Sequence, residues 1–400
     1  MATGAAPMGR IDVGIVGAGP VGLFLGVLLL QQGLKVRILE RREGRSGRSR
    51  AIGIHPPALA VLDRAGLAGP LVSGGIRIPK GVAYSRGRKV AELPFQGDPG
   101  FPYILAVPQP VTEQVLEQAV VALDPEAVIR GADVRSLFDD GGAVTIRAAG
   151  PEGDATFECR FLAAADGAHS LVRRRLMPRL GVRPYPDSYL MGDFADGTGH
   201  GNQAVLYLEP DGIVESFPLP GGIRRWVARL GAPDRGSTAG ALAALITART
   251  GVPVDPSTTT MLSAFEVQSR IAPRMVHGRV MLLGDAAHEI SPIGGQGMNL
   301  GWLDAASLAP VIGAAHRGER VDHDLPAWEK ERIRAASRAS FQAGLNMVLG
   351  RPMQPALLSA RNRLFASALK STAVAGLVES RFTMRGRPSP PAARDYPAAV

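Results

Sequence analysis

The sequence predicts a mixed α/β fold, in which a Rossmann-like nucleotide layer is assembled from non-contiguous segments, interrupted by a mostly antiparallel β-sheet and followed by C-terminal helices. Three observations predict it. An apolar run from Ile11 to Val16, a helical run from Pro20 to Gln32 and a second apolar run from Lys35 to Glu40 form a β-α-β unit. Buried-strand patterns return much later, at Phe161 to Ala165 and Arg279 to Leu283, each leading into a polar turn and a helix. Between these, Arg179 to about Arg274 is richer in Gly, Pro and alternating strands, which suits a separate sheet laid over the nucleotide layer.

The remaining elements follow in order. Pro57 to Leu67 has helical spacing, Gly75 to Leu93 alternates like sheet, and Val111 to Val121 is helical again. From Ala127 to Arg160, turn signals at Asp139-Asp140-Gly141-Gly142 and Gly150-Pro151-Glu152-Gly153 separate short strands of an antiparallel meander. Strands are expected at Ala204 to Leu208, Ile213 to Phe217 and Arg225 to Leu230, and a helix from about Gly297 to Ile312. Glu331 to Leu349 and Gln354 to Val378 complete the helical end, with a loose Pro- and Ala-rich tail from Arg385.

Composition narrows the function classes. With 46% hydrophobic and 20% charged residues over 400 positions, the chain is long enough to bury a sizeable core. The apolar run from Val21 to Leu30 is shorter than the ~20 residues of a membrane span, so no stable membrane insertion is expected. No secretory signal pattern precedes the first strand, and a soluble, cytoplasmic protein is expected. The single cysteine, Cys159, reads as a core residue. The net charge of +9 comes from scattered arginines without an aromatic ladder, which argues for anionic cofactors rather than nucleic acid.

Three motifs carry chemistry. In the first, Gly17-Ala18-Gly19-Pro20-Val21-Gly22 sits between a strand and a helix. There Gly17 permits the tight turn, Gly19 lets the backbone approach a pyrophosphate, and Gly22 allows close helix-strand packing. Glu40 ends the next strand, near the ~20 residues expected for an acid that accepts ribose hydroxyls, although a solvated strand-end acid is the plainer alternative. The second motif runs from Asp166 to Arg173, and its Asp166 could equally be a helix cap. The third joins Gly284-Asp285-Ala286-Ala287-His288 to Pro292 and Gly294-Gly295-Gln296-Gly297-Met298-Asn299. An acid at a strand end suits a sugar-alcohol chain, and a glycine turn at a helix N-terminus suits developing negative charge. His288 lacks a companion ligand and reads as a structural histidine.

These motifs, in this order, resemble the FAD-dependent aromatic hydroxylases, the para-hydroxybenzoate hydroxylase-like group A flavoprotein monooxygenases, including their ubiquinone-biosynthesis and polyketide-tailoring branches. The resemblance spans roughly residues 10 to 350. It implies that Arg50 contacts the flavin side of the cofactor, that Gln109 contacts its ribityl or phosphate region, and that Arg41 and the Val134 backbone lie near the adenosine. It further implies FAD binding by Asp166, a ribityl contact from Asp285, a place for Pro292 near the reactive ring edge, and Gly297, Met298 and Asn299 at the pyrimidine end. Trp302 departs from the family's usual small or amide side chain, and a core role is expected for it. The thioredoxin-like C-terminal domain of some relatives does not occur in these 400 residues.

On this reading residues 1–75, 102–178 and 275–315 build the FAD-binding domain, residues 76–101 and 179–274 the substrate sheet, residues 316–384 the C-terminal helices and residues 385–400 a tail. The resemblance implies an enzyme in which NAD(P)H reduces FAD and O2 adds at the flavin C4a. The hydroperoxide then hydroxylates or epoxidises an aromatic, polyketide-like or other electron-rich small molecule. Only one well-placed dinucleotide fingerprint is present, so NAD(P)H is expected as a transient reductant. The alternatives are an FAD oxidase or dehydrogenase without oxygen transfer and a non-catalytic flavin-binding protein. The Trp-x-Trp-x-Ile-Pro pattern of flavin halogenases is absent. Among the middle strands Tyr207, Glu215, Phe217, Arg224, Arg225 and Trp226 are conspicuous, but alternation leaves about half facing away, and none is assigned. The sequence leaves the oligomeric state open.

Overall fold

The first sheet of the computed structural model, which describes residues 8–45, 51–96, 100–151, 153–232 and 236–385, is built around one long strand, Gly153–Ala164. Its first residues are exposed or half-buried, burial alternates from Phe157 to Arg160, and this part pairs antiparallel with Val144–Gly150, which pairs in turn with Asp133–Asp139. Its last four residues are continuously buried and lie parallel between Met8–Val16 and Val280–Leu282. Val36–Glu40 and then Val128–Arg130 extend the parallel part beyond Met8–Val16, and Val276–His277 closes the other edge. The meander and the central strand expected at Phe161 are thus one continuous element. It changes partners where the pattern changes from alternating to wholly apolar, the mark of a strand covered on both faces.

Pro20–Leu30 is apolar all round and is covered on both sides, by Gly297–His316 and by Gln109–Leu123, so residues 22 to 29 are all buried. The helix expected at Pro57 to Leu67 is Pro56–Arg64, and a second short helix, Ala68–Ser73, follows it. A small sheet of Gly53–Ile54, Ile104–Ala106 and Ile76–Ile78 lies alongside.

The second sheet runs in the order His288–Glu289, Met261–Ile271, Arg183–Ala195, Ile223–Leu230, Val214–Leu219, Ala204–Tyr207, Lys80–Ser85, Arg88–Pro94. All neighbours are antiparallel except Ala204–Tyr207 with Lys80–Ser85. One face packs Leu190, Phe194, Tyr207 and Trp226 against Leu242 and Ile246 of a helix, Ala239–Thr250, that lies within the block expected to be strands. Thr238 caps that helix by accepting the Ala241 N–H (3.2 Å), and Gly251 ends it at φ +74°. The other face packs Tyr189, Met191, Val227 and Val267 against Ile293 and Met347. Val280–Leu282 belongs to the first sheet and His288–Glu289 to the second, so the third motif spans both.

The C-terminal part is helical, as Asp324–Leu349, Pro355–Ala368 and Thr372–Phe382. The tail beyond residue 385 lies outside the described residues. Among the described residues no helix is long and apolar enough to cross a membrane.

Candidate FAD site

The three motifs stand at the carboxyl ends of adjacent parallel strands, Met8–Val16, Gly153–Ala164 and Val280–Leu282, where open α/β sheets leave a crevice. Close packing forces glycine at two positions of the first turn. Gly17 has φ +102°, and a Cβ there would lie 2.5 Å from the Ala165 carbonyl oxygen. A Cβ on Gly22 would lie 2.0 Å from the Gly17 oxygen. Gly19 differs: its backbone is extended, and a Cβ would meet nothing within 4 Å. No protein atom requires glycine there, so the open space beside it is what a phosphate would occupy. Pro20 begins the helix, whose first N–H groups have no side-chain cap, and its carbonyl accepts the Trp302 Nε1–H at 3.0 Å. Trp302 is fully buried, the core role expected. Val21 joins the first and third motifs, because a Cβ on Gly301 would lie 2.4 Å from its Cγ2 and one on Gly284 3.1 Å from the same atom.

Glu40 is buried at the end of its strand. Its Oε2 accepts the Ala18 N–H of the glycine turn (2.9 Å), while its Oε1 accepts both the backbone N–H (3.0 Å) and Nε (2.8 Å) of Arg42. Burial pushes this carboxyl up, but the hydrogen bonds from Arg42 and Ala18 outweigh it and hold the acid below its usual range. Glu40 therefore fastens the glycine turn to the end of the second strand. Arg42, not singled out in the sequence, is its partner; Arg41 is exposed beside it. Ala132 N–H donates to the Glu40 carbonyl (3.0 Å), which brings the buried Val134, two residues on, to this end of the sheet. Gln109 is the first residue of its helix, where its Nε2 donates to Glu113 (2.8 Å) and its Oε1 accepts the Ala51 N–H (3.5 Å). Arg50 lies outside the described residues.

In the second motif Asp166 caps the short helix Leu171–Leu176, its Oδ2 accepting the Leu171 (2.7 Å) and Val172 (3.2 Å) N–H groups, and Ser170 Oγ accepts that of Arg173 (2.9 Å). The capping role is therefore present, but Asp166 Oδ1 is buried with no partner among the described residues, an acceptor left for another group. Arg173, almost fully buried, donates through Nη1 to the carbonyls of Asp285 and Ala286, both at 3.0 Å, and through Nη2 to Ala168. It ties the second motif to the third.

The third motif is set by a residue the sequence reading passed over. Asp304, fully buried, accepts the Gly284 N–H (3.1 Å), His288 Nε2–H (2.5 Å) and Arg332 Nε–H (2.6 Å). Burial opposes its charge, yet His288 and Arg332 outweigh that and hold the carboxyl at about 2. Its sequence cue is that it is the one acid in the mostly apolar helix Gly297–His316. His288 is thus the structural histidine expected.

The neighbouring Asp285 opens onto the crevice, its carboxylate without a hydrogen bond among the described residues. Desolvation by the surrounding protein nevertheless raises its pKa. A Cβ on Gly297 would lie 3.7 Å from Asp285 Oδ1, so the acid sits beside the start of the 20-residue helix, which has no side-chain cap. The backbone N–H groups of Gly297, Met298 and Asn299 are its orphan donors. Asn299 spends its side chain inside the protein: Oδ1 accepts the His55 N–H (2.8 Å), and Nδ2 donates to Gly53 (2.9 Å) and Gly295 (2.8 Å). Only its backbone is left for a ligand. Gly295 has φ +66°, and its N–H donates to the carbonyl of Pro292 (2.9 Å), whose ring is exposed.

An open glycine turn, a buried acid fastened to it, an unpaired strand-end carboxylate and an uncapped helix N-terminus thus stand together at the carboxyl ends of neighbouring strands, the features a bound dinucleotide needs. The model of the family described as FAD binding domain matches residues 10–343, and the chain belongs to that family. Among curated proteins, 12-dehydrotetracycline 5-monooxygenase/anhydrotetracycline 6-monooxygenase of Streptomyces rimosus is 34% identical over 342 residues. That alignment covers 81% of this chain and 66% of the relative, so the chain spans just under two thirds of that protein's length. Among solved structures, p-nitrophenol 4-monooxygenase from Pseudomonas putida superposes with a TM-score of 0.86 at 27% identity, covering 95% of this chain and all of the other. Anhydrotetracycline hydroxylase from Streptomyces rimosus gives 0.78 at 29% identity, covering 94% of this chain and 76% of the other. The resemblance to flavoprotein aromatic hydroxylases and the FAD cofactor it implied are borne out.

Proposed function

We propose that the chain is an FAD-dependent monooxygenase that uses NAD(P)H and O2 to hydroxylate an aromatic or polyketide-like small molecule. The observation that carries this reading is Asp285, an unpaired carboxylate beside an uncapped helix N-terminus, in a crevice covered by an apolar sheet face. Gly19 admits the pyrophosphate, Glu40 meets the adenosine ribose, Asp166 Oδ1 and Asp285 take hydroxyls of the ribityl chain, and the N–H groups of Gly297 to Asn299 face the pyrimidine ring. Arg41 and the Val134 backbone lie at the adenosine end, Gln109 at the ribityl or phosphate region, and Arg50 on the flavin side. When bound, FAD accepts hydride from NAD(P)H and activates O2 for transfer of one oxygen atom to an electron-rich carbon.

The chain's own part is electrostatic and steric. The positive end of the helix Gly297–His316 favours negative charge on the ring beside it. The sheet face bearing Tyr189, Met191 and Val227, with Ile293 and Met347, excludes water from the space where substrate meets the ring edge near Pro292. The names of the similar proteins, a p-nitrophenol monooxygenase and a 12-dehydrotetracycline and anhydrotetracycline monooxygenase, support an aromatic substrate.

The test is to purify the chain, record its visible spectrum, and follow NADH- and NADPH-dependent flavin reduction and reoxidation with phenolic and polycyclic candidates. Bound flavin whose reduction quickens with substrate supports the reading. A colourless protein that takes up no FAD overturns it.

A further inference from the structure

Glu215 lies on the strand Val214–Leu219, opposite Leu206 on one neighbouring strand and Val227 on the other. Side chains alternate along a strand, so Glu215 shares a face with Val227, Tyr189 and Met191, the face that packs on Ile293 of the third motif and on Met347. Its side chain has no hydrogen bond or ion pair among the described residues, although the residue is only 8% exposed. A buried acid ordinarily has a partner.

The cations on this face do not supply one. Arg225 pairs with Asp193 (2.6 Å), and Asp187 takes both Arg229 (2.9 Å) and Arg351 (2.7 Å). Tyr189, stacked on Phe265, has a buried hydroxyl with no partner among the described residues. Of these groups Tyr189 lies close enough to feel the Glu215 charge. Unrelieved burial pushes its carboxyl to about 7. The cost serves no contact within the chain, the pattern of a group held ready for a ligand.

We infer that Glu215 is the specificity-determining residue that accepts the O–H of a hydroxylated aromatic substrate lying between the second sheet and the third motif. The inference rests on the proposed function, because it needs that space to be the substrate site. A phenolic O–H donated to Glu215 would replace the missing partner and orient the ring, with its hydroxyl toward the sheet and its far side toward Pro292. An O-methylated ring of the same shape has no donor and leaves the carboxylate unsatisfied.

The test uses the FAD-loaded protein at pH 8 and two matched pairs of probes that stay un-ionised there: 4-methylphenol with 4-methylanisole, and 2-naphthol with 2-methoxynaphthalene. Binding is read from the perturbed flavin spectrum and needs no turnover. The wild type should prefer the hydroxyl compound by at least about tenfold in one pair or both, as for a hydrogen bond to a charged group. Glu215→Leu should reduce that preference to about twofold or less, and Glu215→Gln should leave an intermediate value. Both variants should melt no lower than the wild type at pH 8, because each removes an unpaired buried charge. No preference in the wild type, a preference that survives Glu215→Leu, or a lower melting temperature in both variants overturns the inference while leaving the flavoprotein reading intact. A chain that binds no FAD overturns both.

Discussion

Replacing Gly19 and Gly22 in turn by alanine separates the two jobs that glycine does in the fingerprint. Gly19 has φ −80° and ψ 177°, which any residue adopts, and a methyl group there meets no protein atom within 4 Å. The apoprotein should therefore change little in Gly19→Ala, because the gain of about 0.4–1 kcal/mol from the restricted unfolded chain is offset by the poorer fit of alanine at this helix N-cap. A phosphate approaching the same turn would meet the methyl group and withdraw from one or two N–H donors. At about 1.5–3 kcal/mol for each of one or two such charged hydrogen bonds, FAD affinity should fall by about 1.5–6 kcal/mol, or ~10- to ~20,000-fold. Gly22→Ala should do the reverse damage. Its methyl carbon would sit 2.0 Å from the Gly17 oxygen, so helix and turn must separate, at ~1–3 kcal/mol or more. The assays are apoprotein melting by circular dichroism and FAD titration by fluorescence. If Gly19→Ala binds FAD as the wild type does, or melts as low as Gly22→Ala, the assignment of the open space to a phosphate is wrong.

Asp304→Asn leaves the buried Arg332 without its counter-ion and should cost ~3–5 kcal/mol, read as a lower melting temperature and weaker FAD retention; an unchanged melt refutes the network. Burial opposes the His288 imidazolium, but Asp304 outweighs it and raises the pKa, so the ion pair's stability is complete below about 6.5 and is lost as pH rises through the higher folded-state value. The melting temperature of the wild type minus that of His288→Asn should accordingly shrink from pH 6 to pH 9, and a difference that grows contradicts the sign. Cys159, with its thiol pushed by burial to about 12, should resist iodoacetamide at pH 8 in the native protein and react once unfolded.

Much of the site was legible because its motifs are local. A glycine turn between a strand and a helix states its geometry within six residues, and the third motif does so within sixteen. What escaped notice is held across long separations. Asp304 meets His288 sixteen residues away and Arg332 twenty-eight away, and Arg173 reaches Asp285 and Ala286 more than a hundred residues on. The helix Ala239–Thr250 was missed because its Ala-rich stretch has no strong apolar stripe, although Thr238 and Gly251 mark its ends. The strand Gly153–Ala164 was read as two pieces because its apolar pattern changes midway, where its neighbours change. Glu215 stood out as an acid among apolar strand residues. Its lack of a partner emerged only once the register showed Arg225 and Arg229 matched to aspartates.

The most direct test of the account is the fate of oxygen. The FAD-loaded protein is given NADPH or NADH, a substrate that accelerates flavin reduction, and O2 enriched in the heavy isotope, and the product is weighed by mass spectrometry. The account predicts one labelled oxygen atom per product molecule, with the other appearing in water. An oxidised but unlabelled product, formed with stoichiometric H2O2, would contradict it and mark the chain as an oxidase.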